Sequence, residues 1–252
     1  VHYPDSLTRQ QKPKPKSNCQ YQGSTMGDPN ITIESLHTEA SAKHLQDVSE
    51  SLVQSVAFMP EMADRRGFRS YWRKSAPRQA EIAVAYILEA FDELGLDVRG
   101  MKVGEVIGDI DALPRHSKVM ERYFHLLQKY GVIERSQGQW VRTPNRVLDT
   151  SSDDLVENFT RDFPQHASET KMISITGPSL AAILNGMEDP MELLFGNAES
   201  SEAVGDCYSN GAMFATSIDL VADVVRRSIA GGNKDVVRII EIGAGCKFKS
   251  WS

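Results

Sequence analysis

Long apolar runs are missing from this sequence. No window approaches the roughly 18 uninterrupted apolar residues that a membrane-spanning helix needs, and the first residues lack the charged-then-apolar order of a secretory signal. No membrane association and a cytoplasmic address are the resulting expectations. Cysteine is scarce too. Cys19, Cys207 and Cys246 are odd in number, far apart and without a His or Cys neighbour at metal-ligand spacing. That excludes a disulfide framework or a zinc site as the organising feature and leaves three free thiols. An excess of positive charge is also lacking, with 28 Lys and Arg against 34 Asp and Glu and a net charge of −6, so the chain as a whole does not suit a polyanion. There is no initial methionine either. The expectation is a segment of something longer, or an incomplete gene model.

What is present suits an ordinary globular chain of one or two domains: 252 residues, 40% hydrophobic and 25% charged. Residues 1–30, centred on Lys12-Pro13-Lys14-Pro15-Lys16, show no periodic apolar face and read as a disordered linker. From Ile31 to about Phe58 the positions Leu36, Ala40, Leu45, Val48, Leu52, Val53 and Val56 recur at mostly helical spacing. A loop containing Pro60, Gly67 and Pro77 is expected next. Arg78 to Leu94 then reads as an amphipathic helix stopped by Gly95. Short helices are expected over Asp153–Phe163 and Gly177–Leu184, and the run Glu188–Asp206, with six acids and no base, as loop and helix surface. Thr216 to Ala230 places Ile218, Val221, Ala222, Val225 and Ile229 on one helical face, which predicts a helix ended by Gly231-Gly232 and packed beside the last segment of the chain.

Pro114 to Pro144 is patterned as a unit. A helix over Lys118–Tyr130 with a core stripe of Met120, Tyr123, Phe124 and Leu127 stops at Gly131; two short strands flank the turn Ser136-Gln137-Gly138. Helix plus hairpin is winged-helix-like. Lys118, Arg122, His125 and Lys129 recur on another face of the helix, and Leu113–Arg146 carries seven Lys and Arg against two acids, a local formal charge of +5. Three readings stay open: a solvated face, a docking surface for an acidic protein, and a recognition helix for DNA. The overall charge disfavours nucleic acid.

The end of the chain is patterned differently. Val236-Val237-Arg238-Ile239-Ile240-Glu241-Ile242-Gly243-Ala244-Gly245 reads as a buried parallel strand running into a glycine turn. Val237–Gly245 resembles the first motif of S-adenosylmethionine-dependent methyltransferases. Upstream, Glu169–Thr176, Asp189-Pro190-Met191-Glu192-Leu193-Leu194-Phe195-Gly196 and Tyr208-Ser209-Asn210-Gly211-Ala212-Met213-Phe214 resemble the N-terminal lid part of C-methyltransferase domains in fungal non-reducing polyketide synthases of the citrinin type. The resemblance spans roughly residues 31–245. It implies methyl transfer from S-adenosylmethionine to the carbon between two carbonyls of a poly-β-keto chain, borne by phosphopantetheine on an acyl carrier domain of the same synthase. It also implies that Glu241, Gly243 and Gly245 line the cofactor turn and that Tyr208 sits over the substrate pocket.

The sequence departs from that family at Lys247, where the glycine turn would have its next glycine. Beyond it the rest of the cofactor core and its histidine base are not found, so this chain by itself is expected to be inactive, with no catalytic residue of its own. The pair His166 and Glu169 is not expected to substitute. The fold expected is mainly α with a small winged-helix-like β hairpin, followed by the start of a Rossmann-like α/β core cut off after its first strand. In domains this is a linker over 1–30, a helical lid over 31–230 and the first strand with its glycine turn over 231–252. The alternative function is a non-catalytic helical module whose basic winged-helix face docks an acidic carrier domain or, as the less favoured partner, DNA.

Overall fold

Helix α2 (Tyr71–Glu93) carries the arrangement, because it is apolar on nearly every side and has neighbours to match. The computed structural model describes residues 39–230 apart from Arg146 and Leu148. One unit begins at Leu45; of the unit Val1–His44, only the first residues of α1, from Glu39, are described. The described elements are α1 (Glu39–Arg65), α2, α3 (Ser117–Lys129), β1 (Ile133–Ser136), β2 (Gln139–Arg142), α4 (Ser152–Asp162), α5 (Ala167–Thr176), α6 (Leu180–Asn185), α7 (Pro190–Phe195), α8 (Ala198–Asn210) and α9 (Ala212–Ala230). The expected class holds: mostly helix, with one two-stranded antiparallel hairpin.

One side of α2 gives Val84, Ile87, Leu88 and Phe91 to a core completed by Leu127 of α3, Val132 and Ile133 of the hairpin and Leu184 of α6. The other side gives Ile82, Ala85 and Tyr86 to a smaller cluster with Leu155 and Phe159 of α4. The expected α3 stripe of Met120, Tyr123, Phe124 and Leu127 faces the larger core, with Leu127 fully buried. Past the end of α3, Gly131 takes φ +69° while the Val132 N–H donates to the Leu127 carbonyl at 2.9 Å, closing the helix and turning the chain into β1. Ser136 pairs with Gln139 across Gln137 and Gly138, both at positive φ, the two-residue turn whose twist matches the strands it joins.

Three features depart from the sequence pattern. Helix α1 continues through Pro60 to Arg65, and α2 starts at Tyr71 with Pro77 inside it, so the expected loop shrinks to 66–70. A helical proline forfeits one backbone hydrogen bond, and at Pro77 the carbonyl gains another by accepting from Tyr130 Oη at 2.9 Å. The stripe on α9 is not the buried one. Ile218, Val221 and Ile229 are exposed, and the residues α9 buries are Ala212, Ala215 and Thr216. In α1, likewise, Leu45, Leu52, Val53 and Val56 are exposed while Ser51 and Ser55 are buried. The two helices meet through polar contacts: Arg66 forms a two-pronged ion pair with Asp219 (2.9 Å each) and Arg227 donates to Gln54 (3.3 Å). Third, Arg142, one of the seven cations of the basic segment Leu113–Arg146, is buried and turned inward. The linker over 1–30 and the strand with its glycine turn lie outside the described residues.

Candidate functional site

The site expected from sequence is described only in part. Glu241, Gly243 and Gly245 lie outside the described residues; Tyr208 is described, one turn from the end of α8. Its side chain is 40% exposed and its ring lies 5.0 Å from that of Phe214 in the first turn of α9. Tyr208 therefore stands on the outer side of an elbow, centred on Gly211, where α8 gives way to α9. A Cβ at Gly211 would lie 2.4 Å from the Cys207 carbonyl oxygen and 3.4 Å from the Glu169 carboxyl carbon, so the elbow closes only around glycine.

Beneath the elbow is a buried polar knot. Glu169, on the first turn of α5, accepts the Ala212 N–H at 2.8 Å and thereby caps the start of α9. His166 is fully buried, with Nδ1 3.6 Å from that carboxylate and its ring 5.2 Å from that of Tyr71. Tyr71 donates to Gln79 Oε1 (2.6 Å), Gln79 donates to Thr170 (3.4 Å), and Thr170 donates back to the His166 carbonyl (3.0 Å). Cys207 lies buried in the same place. Burial first, then the charges of Glu169 and Asp206, push its thiol up to about 11. It is protonated at neutral pH and no nucleophile.

Glu169 has the opposite shift. Burial alone would raise it, but contact with His166 and the hydrogen bonds from its own N–H and that of Ala212 together hold its carboxyl below the ordinary glutamate range. A lowered folded pKa contributes stability that is complete above the unfolded value, about 4.3, and is lost as pH falls through the folded one. Glu169→Gln is therefore expected to flatten the fall in stability on acidification below about pH 5, a difference that urea midpoints taken across that range would show. An unchanged slope would remove Glu169 from this account.

Asp189 caps α7 by accepting the Met191 N–H at 2.8 Å, and Asn197 caps α8 by accepting the Ser200 N–H at 2.8 Å, so the short helices before the elbow are fixed locally. They leave Met191, Phe195, Tyr208 and Met213 exposed. A groove of about 410 Å³ lies between α1 and α9, lined by Met62, Arg65, Arg66, Asp219, Ala222, Asp223 and Arg226; in it Arg66 is paired with Asp219 and Arg226 with Asp223. Among the described residues no group of His, Cys, Asp and Glu could hold a metal ion, and no helix is long and apolar enough to cross a membrane.

A helix-and-wing unit on a helical body with a capped elbow defines a class, and residues 57–140 match the family described as "Methyltransferase, Helix-turn-helix domain". The 5-methylorsellinic acid synthase of Aspergillus terreus is 32% identical over 221 residues, 87% of this chain and 8% of that protein. A non-reducing polyketide synthase of Penicillium brasilianum is 36% identical over 170 residues, 67% of this chain and 7% of its own length. Among solved structures, the CMeT domain of the citrinin polyketide synthase superposes with a TM-score of 0.71 at 26% identity, over 73% of this chain and 48% of that one. The chain belongs to the C-methyltransferase domains of fungal non-reducing polyketide synthases. It spans less than half of the solved domain and under a tenth of the synthases.

Proposed function

We propose that this chain supplies the helical lid of a domain that methylates a poly-β-keto chain carried on phosphopantetheine by an acyl carrier domain of the same synthase, in a cytoplasmic setting. The observation that carries this is the joint match in sequence and fold, 32% identity over 87% of the chain together with the TM-score of 0.71 to a C-methyltransferase domain. S-adenosylmethionine, when bound, supplies an electrophilic methyl group. The carbon between two carbonyls is acidic enough for a positioned base to remove its proton, so the protein contributes orientation and proton removal.

In this reading Tyr208 lies over the substrate. Its exposed hydroxyl can donate to a carbonyl oxygen of the bound chain, and its place on a capped elbow fixes where that donor stands. Glu241, Gly243 and Gly245 are assigned to the cofactor turn on the strength of their motif. His166 is sealed from solvent beneath the elbow, which leaves it out of reach of a substrate carbon and supports a base located elsewhere in a complete domain. The 252-residue chain alone is accordingly proposed to be inactive.

Calorimetric titration of S-adenosylmethionine tests both parts. No saturable binding is expected for this chain, and binding is expected once it is extended, with the remaining part of the citrinin-synthase domain, to that domain's full length. Binding by the short chain would overturn the claim of inactivity; a folded extended chain that binds nothing would count against the methyltransferase reading.

A further inference from the structure

Cations without a carboxylate partner occur elsewhere, as at Arg73 and Lys74 of α2, but on α3 they share one face. Lys118, Arg122, His125 and Lys129 follow one another at steps of four, three and four residues, so they form a single stripe about 16 Å long, and all four are exposed. Arg66, just past α1, and Arg78, Arg226 and Arg227 on other helices each have a carboxylate at ion-pair distance. Among the described residues Lys118, Arg122 and Lys129 have none. The acid nearest in sequence, Glu121, is directed to His125 at 3.8 Å. That i,i+4 pair is the one acid set against the stripe, and it leaves Lys118, Arg122 and Lys129 without a carboxylate at ion-pair distance among the described residues.

The stripe continues onto the wing. His125 meets the Trp140 ring edge-on at 5.8 Å, Trp140 stacks on Phe124 at 5.7 Å, and the Arg135 guanidinium lies 4.5 Å over the same Trp140 ring while donating to the Gly138 carbonyl. Arg135 is thus held in place on a rigid aromatic shelf beside the stripe, at low entropic cost to a partner. Trp140 itself is anchored on the core through Phe124 and Phe91, whose rings lie 5.9 Å apart.

We propose that Lys118, Arg122, His125, Lys129, Arg135 and Trp140 form the docking surface for an acidic protein helix, and that the helix belongs to the carrier domain that delivers the substrate. The second half of this rests on the carrier-borne substrate proposed above. Carboxylates spaced along one face of a partner helix meet the stripe at the same three- and four-residue period, and steering by opposite charge brings a tethered carrier to this side of the domain. A nucleic-acid duplex fits less well. It would bring its phosphates against a chain of net charge −6, and the wing strand that would follow the backbone has turned Arg142 inward.

The test uses the 252-residue chain and, as probe, the purified holo-carrier domain of the related 5-methylorsellinic acid synthase, with binding read by calorimetry. Wild type is expected to bind, with affinity falling as salt rises from about 50 to about 300 mM. The triple variant Lys118→Glu, Arg122→Glu, Lys129→Glu is expected to lose about tenfold or more with circular dichroism and melting temperature unchanged. Equal binding by a folded triple variant overturns the surface and leaves the carrier reading standing. No carrier binding by wild type overturns both. Tighter binding of a short DNA duplex, abolished by the same variant, makes the surface a nucleic-acid one. Should the variant not fold, the wild-type salt dependence decides, since binding indifferent to salt excludes a charged stripe.

Discussion

Arg142→Ala is expected to destabilise the chain by about 3 kcal/mol, the cost of leaving several buried carbonyls short of a donor. The side chain is 7% exposed and has no carboxylate partner among the described residues. Its guanidinium instead spends its donors on backbone: Nε on the Val98 carbonyl (3.2 Å), Nη1 on those of Val132 (3.2 Å) and Thr143 (2.5 Å), and Nη2 on that of Asn145 (3.0 Å). One planar group thus ties the loop after α2, the start of the hairpin and the chain leaving it. Arg142→Lys is expected to recover little of the loss, because an ammonium on a flexible stem cannot face three backbone segments at once. Urea unfolding of the three proteins checks this. A loss below about 0.5 kcal/mol for the alanine variant, the size of an ordinary surface change, would show that water replaces the guanidinium without penalty.

Phe91→Ala is expected to cost about 3–5 kcal/mol, the range for deleting a large side chain from a packed core. Phe91 is 0% exposed and lies where α2, α3 and the hairpin share one core, with the Phe124 ring 5.9 Å away. Small domains have on the order of 5–15 kcal/mol of stability in total, so this variant should be close to unfolding at room temperature. Phe91→Leu keeps most of the volume and should lose less than half as much. The midpoint of chemical unfolding reads both; near-equal values for Ala and Leu would mean that the core closes over the cavity.

The two substitutions concern the support of the α3 stripe as well as stability. Phe91 packs on Phe124, Phe124 on Trp140, and Arg135 lies over Trp140. If α3 and the wing form the docking surface, Phe91→Leu should weaken carrier binding less than the charge reversal does, since it disturbs the shelf and leaves the charges.

Some of the fold was legible because it is written in local terms. The α3 helix, its stop at Gly131 and the hairpin about Gln137-Gly138 follow from an apolar period, a residue that accepts positive φ and a two-residue turn, all within some thirty residues. The sequence predicts α4, α6 and α9 for the same reason, each to within a few residues at its ends. Prolines misled, because a proline weighs against a helix without forbidding one, and Pro60 and Pro77 lie inside α1 and α2.

Of the candidate site, sequence offered Tyr208 and the glycine motif through resemblance, and nothing of the knot beneath. Glu169 meets Ala212 from 43 positions away, and no spacing rule relates a carboxylate to a helix start so far along the chain. Arg142 looked like its basic neighbours, and only packing turned it inward. The same holds for the faces of α1 and α9. Their apolar stripes are plain in the sequence, yet the described structure buries serines and alanines at their contacts, because which face is covered depends on the elements placed against it.

The sequence by itself determined the class of the chain, several of its helices, its hairpin and the family it belongs to, since these depend on local period, turn chemistry and motif order. The tertiary structure decided which charges face water and which face backbone, where the elbow under Tyr208 is pinned and which cations line up unpaired on α3. Those depend on long-range contacts, where burial, capping and charge pairing act between segments that are strangers in sequence.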